Sequence, residues 1–338
     1  MSLFVQSILT KLPTNFVSNR EFCILIDENS RPQGFTPDTA DEWVFSRSGI
    51  RTRPWFDLNR LGQGPASLNE EANLGSDLLQ SSFTPDRWKK IDAIITVRSS
   101  PYHAIPSLSQ RYLAKLNQSF STPEKTLFTL DLFQPSTGFL AALKTARYLP
   151  FNNILIVVSE WLSPILNKED PGTAMLFGDA IAAVVLTKEK SPETLFQVHG
   201  ETFEAKVDDA HVLSGDGSPD SFRMKGPELF RKVVPEFKRS SLALLNTLSL
   251  QTSDIDYYLP HQANLRIIER AANGLSFRPE QVLTNIERVG NLSSASMLVA
   301  LEEKMKTLKT GSKILLNACG AGLTSAAAVF EKCEGETK

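Results

Sequence analysis

The stretch Asp131-Leu-Phe-Gln-Pro-Ser-Thr-Gly-Phe139 joins an apolar, strand-like run, Thr126 to Phe133, to a helix-like run, Phe139 to Tyr148. The small residues between the two runs predict a tight turn that places the hydroxyl of Ser136 at a helix N-terminus. The unpaired N–H groups of a first helical turn can hold negative charge on a reacting oxygen, so Ser136 is a candidate nucleophile. The alternative, and the commoner role of such a serine, is that it only caps the helix.

Two further junctions carry polar side chains suited to catalysis. In Asp256-Tyr-Tyr-Leu-Pro-His-Gln-Ala-Asn264, His261 follows an apolar run, at the edge from which open α/β sheets usually present their chemistry. In Val289-Gly-Asn-Leu-Ser-Ser-Ala-Ser296, Asn291 stands where it could orient an imidazole or a substrate carbonyl. The alternatives are an interior histidine with satisfied hydrogen bonds and a plain turn asparagine.

The chain repeats these patterns in the same order. Ile91 to Val97 resembles Ile255 to Pro260, and Gly138 to Leu143 resembles Ser296 to Leu301. Repeats this long do not fit a solenoid. They predict an α/β protein of two pseudo-symmetric halves packed as one layered body, with chance similarity of the junctions as the alternative.

The two halves are predicted to span residues 1–190 and 191–338, because the polar cluster Lys188-Glu-Lys-Ser-Pro192 interrupts the pattern between them. On this division Ser136 and the Asn291 turn occupy equivalent places, and His261 joins them at a shared centre. Glycines and a proline in the polar stretch from Glu204 to Lys225 predict a long loop.

Composition agrees with an α/β protein that buries a large core. The 338 residues are 41% hydrophobic and 22% charged, and the net charge of -2 does not favour nucleic-acid binding. Three cysteines with no evident pairing indicate a reducing, cytoplasmic compartment. The sequence has no zinc-type cluster and no apolar run of about 20 residues, and Met1 to Leu12 does not resemble a signal peptide.

Several short motifs in a fixed order extend these observations over nearly the whole chain, from Thr39 to Phe330. They are Asp41 to Arg51, Phe177-Gly-Asp179, His261-Gln-Ala-Asn264, Gly290-Asn291 before a Ser/Ala run, and Gly320-Ala-Gly-Leu-Thr324. This set resembles the ketoacyl-acyl-carrier-protein synthase III family, which has the thiolase fold. The resemblance implies a thiolase-like arrangement of the two halves.

The resemblance also implies a catalytic set with one altered member. His261 and Asn291 match two members of the family's Cys-His-Asn set, while Ser136 stands where the family has its nucleophilic cysteine. The backbone N–H groups of Ser136 and Ala321 are then expected to form the oxyanion hole. A serine hydroxyl cannot ionise near neutral pH as a cysteine does, so His261 would have to act as a true general base.

Other positions match the family's binding residues. Trp43 and Arg47 match positions that contact the nucleotide end of coenzyme A, and Asn264 matches one that lines the pantetheine tunnel. Arg231 and Arg266 match cationic positions associated with docking of the acidic acyl carrier protein. Coenzyme A thioester is expected as a substrate, with no permanently bound cofactor.

Two positions concern the assembly of the protein and its affinity for coenzyme A. Ile105 falls where the family sends a bulky residue across the dimer interface to close the partner's acyl pocket, so a homodimer is expected. Pro171 stands where family members often have an arginine on the other face of the adenine. This replacement predicts weaker binding of coenzyme A.

The sequence therefore predicts an acyltransferase or starter-unit condensing enzyme that takes an acyl group from acyl-coenzyme A onto Ser136. Acyl carrier protein or another acceptor would receive it. Because an oxygen ester is less electrophilic than a thioester, condensation is handicapped relative to simple acyl transfer. The alternatives are a non-catalytic subunit of a heterodimeric synthase, a malonyl decarboxylase, and a serine introduced in place of a natural cysteine.

Overall fold

The computed structural model describes residues 2–64, 66–100, 105–206, 212–215 and 222–335. The strands of this part of the chain are β1 (Leu3–Lys11), β2 (Asn15–Ser18), β3 (Thr52–Trp55), β4 (Ala93–Arg98), β5 (Phe128–Phe133), β6 (Asn153–Glu160), β7 (Ala180–Thr187), β8 (Phe196–Ala205), β9 (Leu213–Ser214), β10 (Arg223–Met224), β11 (Tyr257–Pro260), β12 (Lys313–Gly320) and β13 (Thr324–Lys332). The helices are α1 (Asn19–Leu25), α2 (Ala40–Ser48), α3 (Leu68–Ser82), α4 (Pro85–Lys89), α5 (Leu108–Ser119), α6 (Gly138–Tyr148), α7 (Pro171–Ala174), α8 (Gly226–Thr247), α9 (Leu265–Gly274), α10 (Ile286–Val289) and α11 (Ser296–Lys304).

Nine of the strands form one sheet in the order β11-β12-β13-β8-β1-β7-β6-β4-β5. The first half contributes β1-β7-β6-β4-β5, in which β7 is antiparallel to its neighbours and β4 is parallel to β5 and β6. The second half repeats this arrangement as β8-β13-β12-β11. An isolated parallel bridge between Tyr258 and Val282 lies where the fifth strand of that half would be. The predicted fold of two pseudo-symmetric α/β halves is confirmed.

The two halves share a core built on two buried helices. The α6 sequence buries Phe139, Leu140 and Leu143, and α11 buries its whole first stretch from Ser296 to Leu301. Both helices belong to the apolar cluster that includes side chains of β1, β6, β8 and β12. Both helices bury their apolar side chains against the central sheet, which explains why these two segments lie inside the protein.

Amphipathic helices cover the outer faces. Helices α3 and α5 pack against β4, β6 and β7, whereas α8 and α9 pack against β11, β12 and β13. In α9 the buried side chains Ile267, Ile268, Ala271 and Ala272 recur at helical spacing, which explains why this segment forms a surface helix. Helices α3 and α1 each begin at a serine that forms a capping box with a glutamate three residues later.

The repeated sequence patterns occupy equivalent places. Strand β4 corresponds to β11 in the second half, and helix α6 corresponds to α11. The predicted boundary after residue 190 falls between β7 and β8 and stays a prediction. In the described part of the chain, no helix combines the length and apolar character needed to cross a membrane.

The stretch from Glu204 to Lys225, predicted to be a loop, contains regular pairing. Strand β8 continues to Ala205, and β9 pairs antiparallel with β10 through Leu213 and Met224. Residues 207–211 and 216–221 lie outside the described residues. The prediction is wrong for β9 and β10, because two-residue strands are too short to produce a readable sequence period.

Candidate active site

Ser136 occupies a strained turn between β5 and α6. Its φ angle is +64°, a region that non-glycine residues seldom adopt, and the N–H of Thr137 donates a hydrogen bond of 2.7 Å to the carbonyl oxygen of Pro135. Strain of this kind persists only where the surroundings enforce it, and it concentrates at functional sites. The predicted tight turn is present, and Ser136 precedes a buried helix that begins at Gly138.

Loops of the second half hold this turn in place. The Ser136 N–H donates to the Ser293 Oγ at 2.9 Å, and the Thr137 Oγ1 lies 2.9 Å from the Thr324 Oγ1. The Ser294 Oγ donates to the carbonyl oxygen of Gln134 at 3.1 Å. The turn that carries the candidate nucleophile therefore depends on tertiary contacts from residues far along the chain.

His261 follows β11 directly and is almost completely buried, with 1% of its surface exposed. Its N–H donates to the carbonyl oxygen of Asn317 at 2.7 Å, which fixes the backbone at the end of the strand. Burial lowers the pKa of the His261 ring to about 4. Among the described residues the ring Nδ1 has no hydrogen-bond partner, so no carboxylate orients the ring. The imidazole is therefore neutral at pH 7.

Asn291 is held at both its backbone and its side chain. Its N–H donates to the carbonyl oxygen of Leu176 at 2.8 Å, and its own carbonyl oxygen accepts from the Gly178 N–H at 3.0 Å. The side-chain Oδ1 accepts from the Ser293 N–H at 2.9 Å. Because the oxygen end of the amide is engaged, its NH2 end remains as a donor for a ligand.

Ser136, His261 and Asn291 line one cavity with a volume of about 880 Å³. Its other walls are mainly apolar and include Met175, Leu176, Phe177, Leu213, Met224, Leu229, Phe230, Val233, Phe237, Ile267 and Cys319. Within the described residues, no hydrogen bond joins the Ser136 Oγ to the His261 ring. Such catalytic contacts often tighten only when substrate is bound. The three residues predicted from separate junctions thus meet at one concave, partly apolar site.

The same cavity reaches the predicted cofactor residues. Arg47 and Asn264 line it, whereas Trp43 does not. Arg266, predicted to dock the carrier protein, also lies in the cavity wall. The Arg47 guanidinium lies 4.0 Å from the centroid of the Trp43 ring, and the Phe35 ring packs 4.7 Å from Trp43 between centroids. A nucleotide base would stack on Trp43 only after Arg47 had moved aside.

Asn264 is also engaged within the chain. Its Oδ1 accepts from the Arg266 N–H at 2.9 Å as the N-cap of α9, and its Nδ2 donates to the Arg47 carbonyl oxygen at 3.0 Å. The Arg266 guanidinium donates to the carbonyl oxygen of Ser46. These contacts join α9 to α2 at one end of the cavity.

The remaining predicted residues lie around this centre. Ala321 follows β12 in a short 3₁₀ turn, and in the described part of the chain no hydrogen bond uses its N–H. Arg231 is exposed on α8 and does not line the cavity. Ile105 is 97% exposed and lies outside the cavity, so its predicted role in a partner's pocket stays a prediction. Pro171 begins the short helix α7.

Sequence reasoning missed a buried polar group behind Ser136. The Ser99 Oγ lies 2.8 Å from the Ser293 Oγ and donates to Glu160 at 2.8 Å. Burial raises the pKa of Glu160 to about 7, although hydrogen bonds from Ser99 and Ser294 oppose the shift. The paired serines at 293 and 294 were visible in the sequence. Their partners on β6 and after β4 were not, because no local pattern joins residues so far apart.

Sequence reasoning also missed that a cysteine lines the cavity. Cys319 lies at the end of β12 with its Sγ 3.8 Å from the Val233 carbonyl oxygen. Burial raises the pKa of the Cys319 thiol well above its usual value. A thiol that stays protonated is a poor nucleophile, so Cys319 is a weaker candidate nucleophile than its place in the cavity suggests.

Known proteins share this fold and sequence pattern. Two family models match, 3-oxoacyl-[acyl-carrier-protein (ACP)] synthase III over residues 130–202 and the C-terminal model of the same name over residues 245–332. The beta-ketoacyl-[acyl-carrier-protein] synthase III of Clostridium perfringens is 33% identical over 321 residues, which are 90% of this chain and 94% of that protein. The enzyme of the same name from Campylobacter concisus is 29% identical over 346 residues, which are 96% of this chain and 95% of that protein.

The structural comparison agrees. The crystal structure of 3-oxoacyl-[acyl-carrier-protein] synthase III from Aquifex aeolicus matches with a TM-score of 0.80 and 26% sequence identity. The match covers 97% of this chain and 99% of that chain. Similarity over nearly the full length of both proteins confirms that the resemblance is not limited to isolated motifs.

Proposed function

The chain belongs to the beta-ketoacyl-[acyl-carrier-protein] synthase III family, and we propose that it transfers acyl groups from acyl-coenzyme A through an ester on Ser136. The observation that carries the proposal is that Ser136, His261 and Asn291 line one cavity, whose wall includes Arg47 and Asn264. A hydroxyl, a neutral imidazole and an amide donor around one apolar cavity are the groups that acyl transfer needs.

In the first step the Ser136 oxygen attacks the thioester carbonyl while its proton passes to the His261 ring. The carbon–sulfur bond then breaks, and His261 returns the proton to the departing coenzyme A thiolate. The products are an ester on Ser136 and free coenzyme A. This step requires a neutral ring at the outset, and the lowered pKa of His261, about 4, supports that requirement.

The developing oxyanion needs hydrogen-bond donors. We propose the Ala321 N–H as one of them, because no hydrogen bond among the described residues uses it. The Ser136 N–H, the other predicted donor, donates to the Ser293 Oγ in the free chain. To stabilise the oxyanion it would have to donate to both oxygens at once. We propose that the NH2 end of Asn291 holds a substrate carbonyl.

In the second step the acyl group passes to a carrier-protein thiol, a malonyl-derived carbanion, or a hydroxyl or amine. We propose that Arg266, at the wall of the cavity, and Arg231, exposed on α8, dock an acidic acyl carrier protein. Coenzyme A thioester enters as a substrate and leaves as free coenzyme A. Because the intermediate is an oxygen ester, we expect transfer to a thiol to be faster than carbon–carbon bond formation.

Intact-protein mass spectrometry tests this proposal. Incubation with a panel of short and long acyl-coenzyme A donors should add one acyl mass, and subsequent acyl carrier protein should remove it. Ser136→Ala should abolish the adduct, and Cys319→Ala should retain it. An absence of adduct with every donor would contradict the proposal.

Decarboxylation of a malonyl thioester is the second candidate. Among the described residues, no carboxylate contacts the His261 Nδ1. A neutral, weakly basic ring is better suited to donate a hydrogen bond to a carbonyl than to abstract a proton, and this favours decarboxylation. The reaction would need His261 and Asn291 but not the Ser136 hydroxyl. Carbon dioxide release from malonyl-coenzyme A that survives in Ser136→Ala would therefore favour this candidate.

We propose that the chain assembles as a homodimer. Strand β5 ends the sheet, and Phe133 at its end is 57% exposed. An edge strand with exposed aromatic side chains is normally covered by another chain or element. The rival is a non-catalytic subunit in a heterodimer, which predicts that the purified chain alone has no turnover.

A further inference from the structure

Ser293 contacts both the candidate nucleophile and the candidate amide donor. Its Oγ accepts a hydrogen bond of 2.9 Å from the Ser136 N–H, and its own N–H donates to the Asn291 Oδ1 at 2.9 Å. Its φ angle is +47°, so it too occupies a strained conformation that its surroundings must enforce. One buried residue therefore connects the two sides of the cavity that carry Ser136 and Asn291.

A polarised chain of hydrogen bonds continues behind Ser293. Glu160 accepts from the Ser99 Oγ at 2.8 Å, from the Ser99 N–H at 3.1 Å and from the Ser294 N–H at 3.0 Å. Because the Ser99 hydroxyl proton points to Glu160, the Ser99 oxygen is left as acceptor for the Ser293 hydroxyl, 2.8 Å away. The lone pairs of Ser293 are then directed to the Ser136 N–H.

Every member of this chain is buried, and Glu160 has no exposed surface. Hydrogen bonds in a buried interior of low dielectric constant are stronger than those at a surface, and a series of them reinforces itself. The Glu160 oxygens at one end accept from Ser99, and the series of hydroxyls that follows ends on the backbone N–H of Ser136 at the other end.

From this geometry we infer that Ser293 is a positioning residue that anchors the backbone of Ser136 and turns the NH2 end of Asn291 toward the substrate. The inference deepens the proposed function and rests on it. Ser293 itself does not contact the reacting atoms. Its effect is on the orientation of two groups that do, and an error of about 1 Å in such groups can slow a reaction by about a hundredfold.

The test compares three variants by the rate of Ser136 acylation at increasing acyl-coenzyme A concentration. Ser293→Ala removes the hydroxyl that accepts from the Ser136 N–H and keeps the backbone N–H that donates to Asn291, so it tests the Ser136 anchor. Ser293→Gly removes the hydroxyl as well but accepts the φ angle of +47° without strain, so a slow Ser293→Gly protein cannot be explained by strain at that φ angle. Ser296→Ala is the matched control, because the Ser296 Oγ accepts from the Leu292 N–H in the same loop without contacting either site residue.

We expect the maximal acylation rate of both Ser293 variants to fall by about tenfold or more, with the half-saturating acyl-coenzyme A concentration unchanged. Ser296→Ala should keep the wild-type rate. A general loss of packing in this loop would lower the acylation rate of Ser296→Ala as well. Rates of the Ser293 variants equal to or above wild type would overturn the inference.

A second measurement separates this inference from the proposed function. Hydrogen exchange at the amide of residue 136 should accelerate by about tenfold or more in Ser293→Ala, because its hydrogen-bond acceptor is gone. If the wild-type protein forms no acyl adduct, the proposed function fails. The rate of hydrogen exchange at the amide of residue 136 then tests the anchoring role of Ser293 independently. Unchanged exchange at that amide would overturn it.

Discussion

Gly320, at the end of β12, packs directly on the carbonyl oxygen of Pro135. A methyl group at residue 320 would lie 2.3 Å from that oxygen, which belongs to the turn that carries Ser136. No side chain fits there unless the backbone moves. The last residue of a strand in the second half therefore determines how closely the turn of the first half approaches the cavity.

Gly320→Ala should destabilise the protein by about 1–3 kcal/mol, because overpacking forces the backbone apart. It should also slow acylation, since the displaced segment is the Ser136 turn. Urea unfolding and acylation rates measure the two effects. Gly274→Ala is the control, because a methyl group there would meet only the Lys238 side chain at 3.9 Å. Equal stability of the two variants would contradict the expectation.

Ser136→Cys should convert the site to a faster condensing enzyme. A thiol at the N-terminus of a buried helix ionises more readily than a hydroxyl, and its thioester is the better acyl donor to carbon. We expect product formation with malonyl-acyl carrier protein to rise by about tenfold or more over the wild type. Chromatographic detection of the 3-oxoacyl product measures the gain. No gain would mean that a feature other than the nucleophile limits condensation.

His261 should contribute to stability in a pH-dependent way. Burial lowers its pKa to about 4, below the value of about 6.5 expected in the unfolded chain. Its contribution is therefore complete above pH 6.5 and is lost as the pH falls through 4, for a total of about 3 kcal/mol. The measurement is the free energy of unfolding of the wild type and of His261→Gln between pH 4 and pH 6.5. The difference between the two proteins gives the contribution of His261. A difference that does not vary with pH would contradict the lowered pKa.

Arg47→Ala should weaken binding of acyl-coenzyme A but not of acyl-pantetheine. The guanidinium lies at the cavity wall, where it can meet nucleotide phosphates, and loss of one charge-assisted hydrogen bond costs about tenfold in affinity. Half-saturation measurements with the two donors test this. Arg278→Ala, at an exposed ion pair with Glu280, is the control. Equal losses for both donors would place Arg47 outside the nucleotide site.

Phe133→Asp should shift the protein from dimer to monomer. A buried carboxylate at the edge of β5 would be costly in an interface between copies. Light scattering coupled to gel filtration measures the mass. Tyr148→Asp, a change at a residue 74% exposed at the end of α6, should leave the mass unchanged. A monomeric wild-type protein would refute the homodimer directly.

The sequence allowed Ser136, His261 and Asn291 to be selected because each stands at a junction beside an apolar run. Ser136 and His261 follow such runs, and Asn291 precedes one. Such junctions are local, and the buried helices α6 and α11 that follow two of them are apolar enough to be recognised. The pairing of β9 with β10 was missed because its strands are two residues long. Arg47 and Asn264 came from family resemblance, and no local pattern would have placed them on one cavity.

The sequence by itself determined the two α/β halves, their order and the presence of a hydroxyl at the turn before α6, because hydrophobic periodicity and short motifs are properties of neighbouring residues. Only the tertiary structure decided that Glu160, Ser99 and Ser293 lie in one buried chain behind Ser136, and that Cys319 faces the same cavity. These contacts join residues up to 194 positions apart. They depend on how the loops and buried helices of the two halves pack against the shared sheet, which no local pattern encodes.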